Sequence, residues 1–382
     1  MKILYLSEYS NPNICGVWTR VCSESRYMAK KGHKVFIFST NINKSGGILP
    51  VHEKFEGMHI FRFSPKFRIS ENASFWAGKE FKKKFLEIKP DIVICNTYRH
   101  PESLAALKLS KKLKIPCILV THAPFLEKGI RSPIIDLIVK IYDKVYGKKS
   151  KEFTKIFAIA KWEMPYLSEL GISKSKIEYV PNTVPDELFR KKSGIDINKI
   201  VFLGRIAPVK DIETLLRAMK LLDDKYKLIL AGPATKEYGK SLNQTIKALK
   251  IENKVKFTGP VYDLNKKIKL LQSAGIFVLP SKREGLPQSL LEAMALGRIC
   301  ISSRNQGAKE IITDKKNGFL FDISNEQQLS EIISSLGKYN LKKISKNAVH
   351  TAENFSSSRI FSKTEKIYLN LVKKRVSPQL EV

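Results

Sequence analysis

No Cys-x-x-Cys pair occurs in this chain, so a metal knuckle or a redox dithiol has nothing to start from. Its five cysteines, Cys15, Cys22, Cys95, Cys117 and Cys300, are odd in number and irregularly spaced. That argues against a disulfide framework and fits a reducing cytoplasm. The six histidines show no metal-ligand spacing. Long apolar runs are also missing. The greasiest stretch, 134–146, is interrupted by Asp136, Lys140, Asp143 and Lys144, and so is no membrane span. The apolar stretch 3–6 is too short for a signal peptide and runs into Ser7 and Glu8. The protein is therefore expected to stay in the compartment where it is made. Acid is scarce as well: 36 Asp and Glu stand against 68 Lys and Arg, a formal net charge of +32. This predicts attraction to polyanions, whether nucleic acid, an anionic membrane or diphosphate-bearing substrates. Composition alone does not choose among them.

What is present is a regular alternation. Short β-rich apolar runs at 3–6, 35–39, 60–63, 92–95, 117–121 and 156–159 alternate with segments of helical spacing. A second series follows at 200–203, 228–231, 255–258, 276–279, 299–302 and 319–321. Strand and helix in repeated alternation predict parallel sheets covered on both faces, so two series predict an α/β chain of two doubly wound domains. The expected division is 1–183 and 184–357, with the linker between 181 and 199. The closing helix from 358 is expected to pack away from the second series.

Ligands of open parallel sheets sit at the carboxyl ends of the strands. After the first strand of the second series come Gly204, Arg205 and, five residues on, Lys210, followed by Asp211 as a helix cap. Gly204 suits a sharp turn. Arg205 and Lys210 suit a diphosphate; they equally suit a solvated loop of a very basic protein. After the run 276–279 comes Glu284-Gly285-Leu286-Pro287 and then a helix carrying Glu292. A glycine turn feeding a helix N-terminus offers amides and a positive dipole end to an anion. The two carboxylates can accept hydrogen bonds from vicinal hydroxyls of a sugar or ribose. Glu292 taken alone reads as a first-turn helix acid. Gly259-Pro260 forms a further loop, suited to close approach of a flat base or to an ordinary turn.

Gly204-Arg205-x4-Lys210, Glu284-x7-Glu292 and Gly307-x2-Glu310 together resemble the signature of the retaining glycosyltransferases of family four, which have the GT-B fold. Gly16, Gly32-His33-x-Val35, Thr121-His122-Ala123 and Pro181-Asn182-x-Val184 resemble that family's N-terminal segments. The resemblance implies two Rossmann-like domains facing across a cleft, an N-terminal acceptor domain onto which the helix 358–382 packs back, and a C-terminal donor domain. It implies that Arg205 and Lys210 hold the donor diphosphate, and that Glu292 binds the ribose diol. Glu284 would contact the transferred sugar, helped by amides of 285–287. Gly16 would allow the first loop to approach the donor, and His122 would touch the donor sugar. The chain departs from the pattern at Cys15, Thr183, Ala160 or Lys161, and Gln306, which bears on donor and acceptor identity.

The reaction so implied is transfer of a sugar from a nucleotide-diphosphate donor, UDP- or GDP-linked, to an acceptor hydroxyl with retention. No Asp-x-Asp follows a strand of the second series, so no metal is expected and Arg205 and Lys210 take its place. Lysines crowd the N-terminal half at 79–89, 108–114 and 128–151, the last group beside the apolar stretch 134–146. An apolar stripe with a basic rim is what an interfacial helix needs. The expectation is peripheral attachment to the inner, anionic face of the cell membrane and a lipid-linked or glycan acceptor. The same stretch also suits simple packing on its own sheet. A soluble acceptor, and sugar-nucleotide epimerisation on the same fold, are alternatives; the latter needs acid/base residues beyond His122. A basic nucleic-acid-binding protein is a third reading, but no recognition motif accompanies the basic clusters, so no specific nucleic acid is expected.

Overall fold

The computed structural model describes residues 1–13, 15–44, 46–70, 73–96, 98–125, 133–190 and 194–376. The chain forms two compact units, Met1–Pro181 together with the segment from Ile360 onward, and Asn182–Arg359.

The strands of the first unit are β1 (Lys2–Leu6), β2 (Lys34–Thr40), β3 (His52–Phe55), β4 (Met58–Phe63), β5 (Phe67–Ser70), β6 (Ala73–Phe75), β7 (Ile92–Cys95), β8 (Cys117–Val120), β9 (Lys155–Ala158) and β10 (Ile177–Tyr179). Eight of them form one sheet in the order β10-β9-β8-β7-β1-β2-β4-β3, while β5 and β6 pair as a separate antiparallel ribbon. Neighbours in the large sheet are parallel except β3 against β4. The apolar runs are unbroken because both faces are covered. Leu4, Leu6, Val93, Cys95 and Leu119 enter one core, and Ile3, Tyr5, Ile92, Ile94 and Ile118 enter the other. β3, the β5–β6 ribbon and β10 were not legible as apolar runs. β3 is an edge strand carrying His52, Glu53 and Lys54, and an edge needs little apolar surface.

The final helix, Ser357–Val376, contributes Ile360, Phe361 and Tyr368 to the second of these cores. The Tyr368 hydroxyl donates to Glu24 at 2.6 Å, and the Tyr5 hydroxyl donates to the same oxygen at 3.1 Å. His33 and Glu365 add a contact at 2.8 Å. The amphipathic helix Pro133–Ser150 leaves Leu137 and Ile141 each 59% exposed while burying Tyr146. Lys144, Lys148 and Lys149 on it are exposed, whereas Lys128 and Arg131 lie outside the described residues. Among the described residues no helix is long and apolar enough to cross a membrane.

The second unit has β11 (Lys199–Leu203), β12 (Lys227–Ala231), β13 (Val255–Gly259), β14 (Ile276–Leu279), β15 (Ile299–Ser303) and β16 (Phe319–Phe321). The order is β13-β12-β11-β14-β15-β16, parallel throughout. This is the doubly wound order whose strand direction of travel reverses between β11 and β14, and a ligand crevice opens at such a reversal.

Candidate functional site

The loops leaving β11 and β14 flank that reversal and carry the motif residues. They are tied together: the Lys282 amide donates to Val209 O at 2.9 Å. The Lys210 ammonium donates to Glu284 Oε1 at 2.5 Å. A strong cation and a carboxylate thus meet at one spot, 74 residues apart in sequence. Lys210 is in a short 3-10 turn, Pro208–Lys210. Arg205 is exposed and makes no ion pair among the described residues, so its planar fork is available to an anion.

Two local expectations, for Asp211 and Glu292, are corrected. Gly204 is not in the left-handed region, whereas Gly232, in the loop after β12, has φ +146°. A Cβ on Gly232 would lie 1.8 Å from Gly204 O, so the two loops approach too closely for any side chain there. Asp211 does not cap its helix by a side-chain bond to an amide. It is itself left-handed, φ +50°, and its Oδ2 accepts from the hydroxyls of Thr214 at 2.9 Å and Ser324 at 2.7 Å. Glu292 is not a first-turn acid, because the helix begins earlier than expected and spans Gln288–Ala295. Its interaction with the helix dipole is therefore weak. A buried glutamate in the second turn of a helix needs another partner.

That partner is Lys267, on the helix Leu264–Gln272, whose ammonium donates to Glu292 Oε1 at 2.8 Å. Only 2% of the Glu292 side chain is exposed. Sequence reading missed Lys267 among its neighbours Lys266 and Lys269. The signal was its place one turn before the buried Leu271 and next to the buried Ile268, at the margin of the apolar stripe. Gly259 is left-handed, φ +72°, and its carbonyl accepts the Gly232 amide at 2.8 Å. Gly307 closes the arrangement: a Cβ there would lie 2.6 Å from Gly285 O. Leu286 and Pro287 are buried, and Leu286 O accepts from Asn182 Nδ2 at 3.0 Å. Pro287 stands at the N-cap of Gln288–Ala295.

Two predicted residues belong to the first unit. Gly16 opens the helix Gly16–Lys30, and a Cβ on it would touch nothing within 4 Å. His122 follows β8 with φ +57°, and Ala123 after it has φ +52°. Consecutive left-handed non-glycine residues are strained and must be held from outside. Glu163 holds them. Its Oε2 accepts from Thr121 Oγ1 at 2.5 Å and the Ala123 amide at 2.9 Å. Its Oε1 accepts from the amides of Ile159 at 2.9 Å and Ala160 at 3.0 Å. Burial pushes the Glu163 carboxyl up to about 7 despite these four donors. His122 is pushed down to about 3, by burial first and then by the charges of Arg20 and His100. It is a neutral imidazole at physiological pH, and its buried Nε2 has no hydrogen-bond partner among the described residues.

The pattern described as "Glycosyltransferase Family 4" matches residues 14–188, and that described as "Glycosyl transferases group 1" matches residues 185–353. An uncharacterised glycosyltransferase of Methanocaldococcus jannaschii is 28% identical, over 97% of this chain and 99% of its own length. The N,N'-diacetylbacillosaminyl-diphospho-undecaprenol alpha-1,3-N-acetylgalactosaminyltransferase of Campylobacter jejuni is 28% identical, over 65% of this chain and 68% of its own. The solved structure of Anabaena HepE in complex with UDP superposes with a TM-score of 0.76 at 18% identity, covering 97% of this chain and 100% of that one. With both halves matched and both sheets of the Rossmann-like kind, the chain belongs to the group 1, family 4 glycosyltransferases of GT-B fold.

Proposed function

We propose that this glycosyltransferase takes a UDP-linked sugar as donor and transfers it with retention to a lipid-linked acceptor at an anionic membrane surface. The observation that carries the donor half is the pairing of Lys210 with Glu284 at the strand reversal, with Arg205 exposed on the same loop and in no ion pair among the described residues. In the reaction, charge moves from the sugar to the departing diphosphate. Preset cations at that position stabilise the transition state more than the ground state, which is the main source of rate. One Lys210 proton is held by Glu284, and two remain for phosphate oxygens. Glu284 has a second oxygen for a sugar hydroxyl, and Glu292, fixed by Lys267, accepts from the ribose diol. Arg205 and Lys210 do the work of a metal clamp on the diphosphate, and the leaving phosphate takes the proton of the attacking hydroxyl. The roles implied for Gly16 and His122 are part of the same proposal.

The choice of UDP is supported by the UDP complex of HepE. The lipid-linked acceptor is supported by the name of the Campylobacter relative, a diphospho-undecaprenol enzyme. The membrane surface is supported by the exposed Leu137 and Ile141 on a helix whose exposed Lys144, Lys148 and Lys149 suit anionic headgroups. The test is calorimetric titration with UDP-, GDP- and ADP-sugars, with and without EDTA. Binding of one UDP-sugar that survives EDTA and is lost in Lys210→Ala supports the reading. A preference for another nucleotide, or binding abolished by EDTA, refutes the corresponding part.

A further inference from the structure

The sheet of the first unit has its own strand reversal, between β1 and β7. Three chemically active side chains converge there from separate segments. Glu8 follows β1, while His100 and Glu102 stand at the N-cap and in the first turn of the helix Pro101–Lys112 after β7. One ligand atom from each lies within 4.8 Å of the others. We propose that Glu8, His100 and Glu102 bind one divalent transition-metal ion, with Zn2+ preferred.

Charge makes the first argument. The chain has 68 Lys and Arg residues, yet Glu8 and Glu102, 6% and 1% exposed, pair with none of them among the described residues. Arg99, next in sequence, is committed elsewhere: both of its donors to Asp143 lie at 2.6 Å. Two buried carboxylates side by side are costly unless a cation or a proton neutralises them.

Unmet hydrogen-bonding capacity makes the second. Glu102 Oε2 and His100 Nδ1 are buried and have no hydrogen-bond partner among the described residues. His100 Nδ1 approaches Glu8 Oε2 only to 3.6 Å, too far for a good hydrogen bond and a normal separation for two ligands of one ion. The carboxylates are meanwhile oriented as ligands are, by protein donors behind them. Glu8 Oε1 accepts from Ser74 Oγ at 2.6 Å and Glu8 Oε2 from Trp76 Nε1 at 3.1 Å. Glu102 Oε1 accepts from the Trp76 amide at 3.0 Å, which leaves Oε2 to the ion. An imidazole beside two carboxylates selects Zn2+ over Mg2+ and Ca2+. This ion would be held by residues of the first unit, whereas the proposed mechanism holds the donor diphosphate with Arg205 and Lys210 of the second, without metal.

The test is calorimetric titration of chelator-treated full chain with Zn2+, Mn2+ and Mg2+, together with the visible spectrum of the Co2+-loaded protein. Expected is one tight Zn2+ per chain, weaker Mn2+, negligible Mg2+, and Co2+ d–d bands from a mixed nitrogen and oxygen site. Glu102→Gln and His100→Asn, with circular dichroism unchanged, should each weaken Zn2+ by roughly 100-fold, and Ser74→Ala by about 10-fold. His52 and His59, stacked on the surface with nitrogens 3.3 Å apart, are the competing site, and His59→Ala should leave the tight binding intact. No tight ion, binding lost in His59→Ala but kept in His100→Asn, or a His100 that NMR shows as imidazolium in metal-saturated protein would each overturn the assignment. UDP-sugar binding by the metal-free chain is measured alongside, so failure of this site is told apart from failure of the donor reading.

Discussion

Replacing Glu163 by Gln separates two effects that the fold combines in one side chain. Glu163 accepts four hydrogen bonds, two on each oxygen. An amide keeps one carbonyl for the Ile159 and Ala160 N–H groups. Its NH2 can donate to the Thr121 hydroxyl but then faces the Ala123 N–H, donor against donor. Leaving one buried amide unpaired costs about 1–3 kcal/mol. Against this stands the charge. The carboxyl lies at about 7 in the folded protein against a reference of 4.5, so between these values the folded state holds a proton that the unfolded state has lost. Stability from this group is therefore greatest below pH 4.5 and declines as pH rises to 7, by about 3 kcal/mol at about 1.4 kcal/mol per unit. The replacement amide does not titrate. The expected result is that Glu163→Gln is less stable than wild type at pH 5 and gains on it by about 3 kcal/mol by pH 8. Urea denaturation at both pH values measures this. A difference that does not change with pH would refute the argument from burial. Because Ala123 and His122 lose their anchor, turnover should fall at every pH, whatever the sign of the stability change. Wild-type turnover in the variant would refute the positioning of His122.

Lys267→Met should leave Glu292 buried without its partner, lowering stability by about 3 kcal/mol and weakening UDP-sugar binding more than it lowers turnover; denaturation and a KM-against-kcat comparison test both. Gly232→Ala forces a Cβ to within 1.8 Å of Gly204 O at a φ of +146°, so a loss above about 3 kcal/mol or failure to fold is expected, whereas Gly16→Ala should be neutral for stability because nothing lies within 4 Å. Leu137→Glu with Ile141→Glu should abolish sedimentation with anionic vesicles without changing the denaturation midpoint, since both side chains are 59% exposed; unchanged sedimentation would count against a membrane role for this helix.

The strands of the second unit were legible almost one for one in the amino-acid pattern. Strands buried on both faces are near-continuous apolar runs, and one such as Ile276–Leu279 has few other ways to fold. The pattern also marked Arg205, Lys210, Glu284 and Glu292, because the loops after parallel strands are where a sheet of this kind presents chemistry. The partners of these residues emerge from the packing of the elements. Lys267 looks like any other solvated lysine until its helix is docked beside Gln288–Ala295. Glu163 reads as a turn acid until the Thr121–Ala123 loop closes over it. Gly232 looks dispensable until β11 and β12 bring it against the Gly204 carbonyl, where no side chain fits. Local pattern records burial and periodicity, whereas pairing between residues 74 or 40 positions apart depends on how elements pack, and that is written in no single segment.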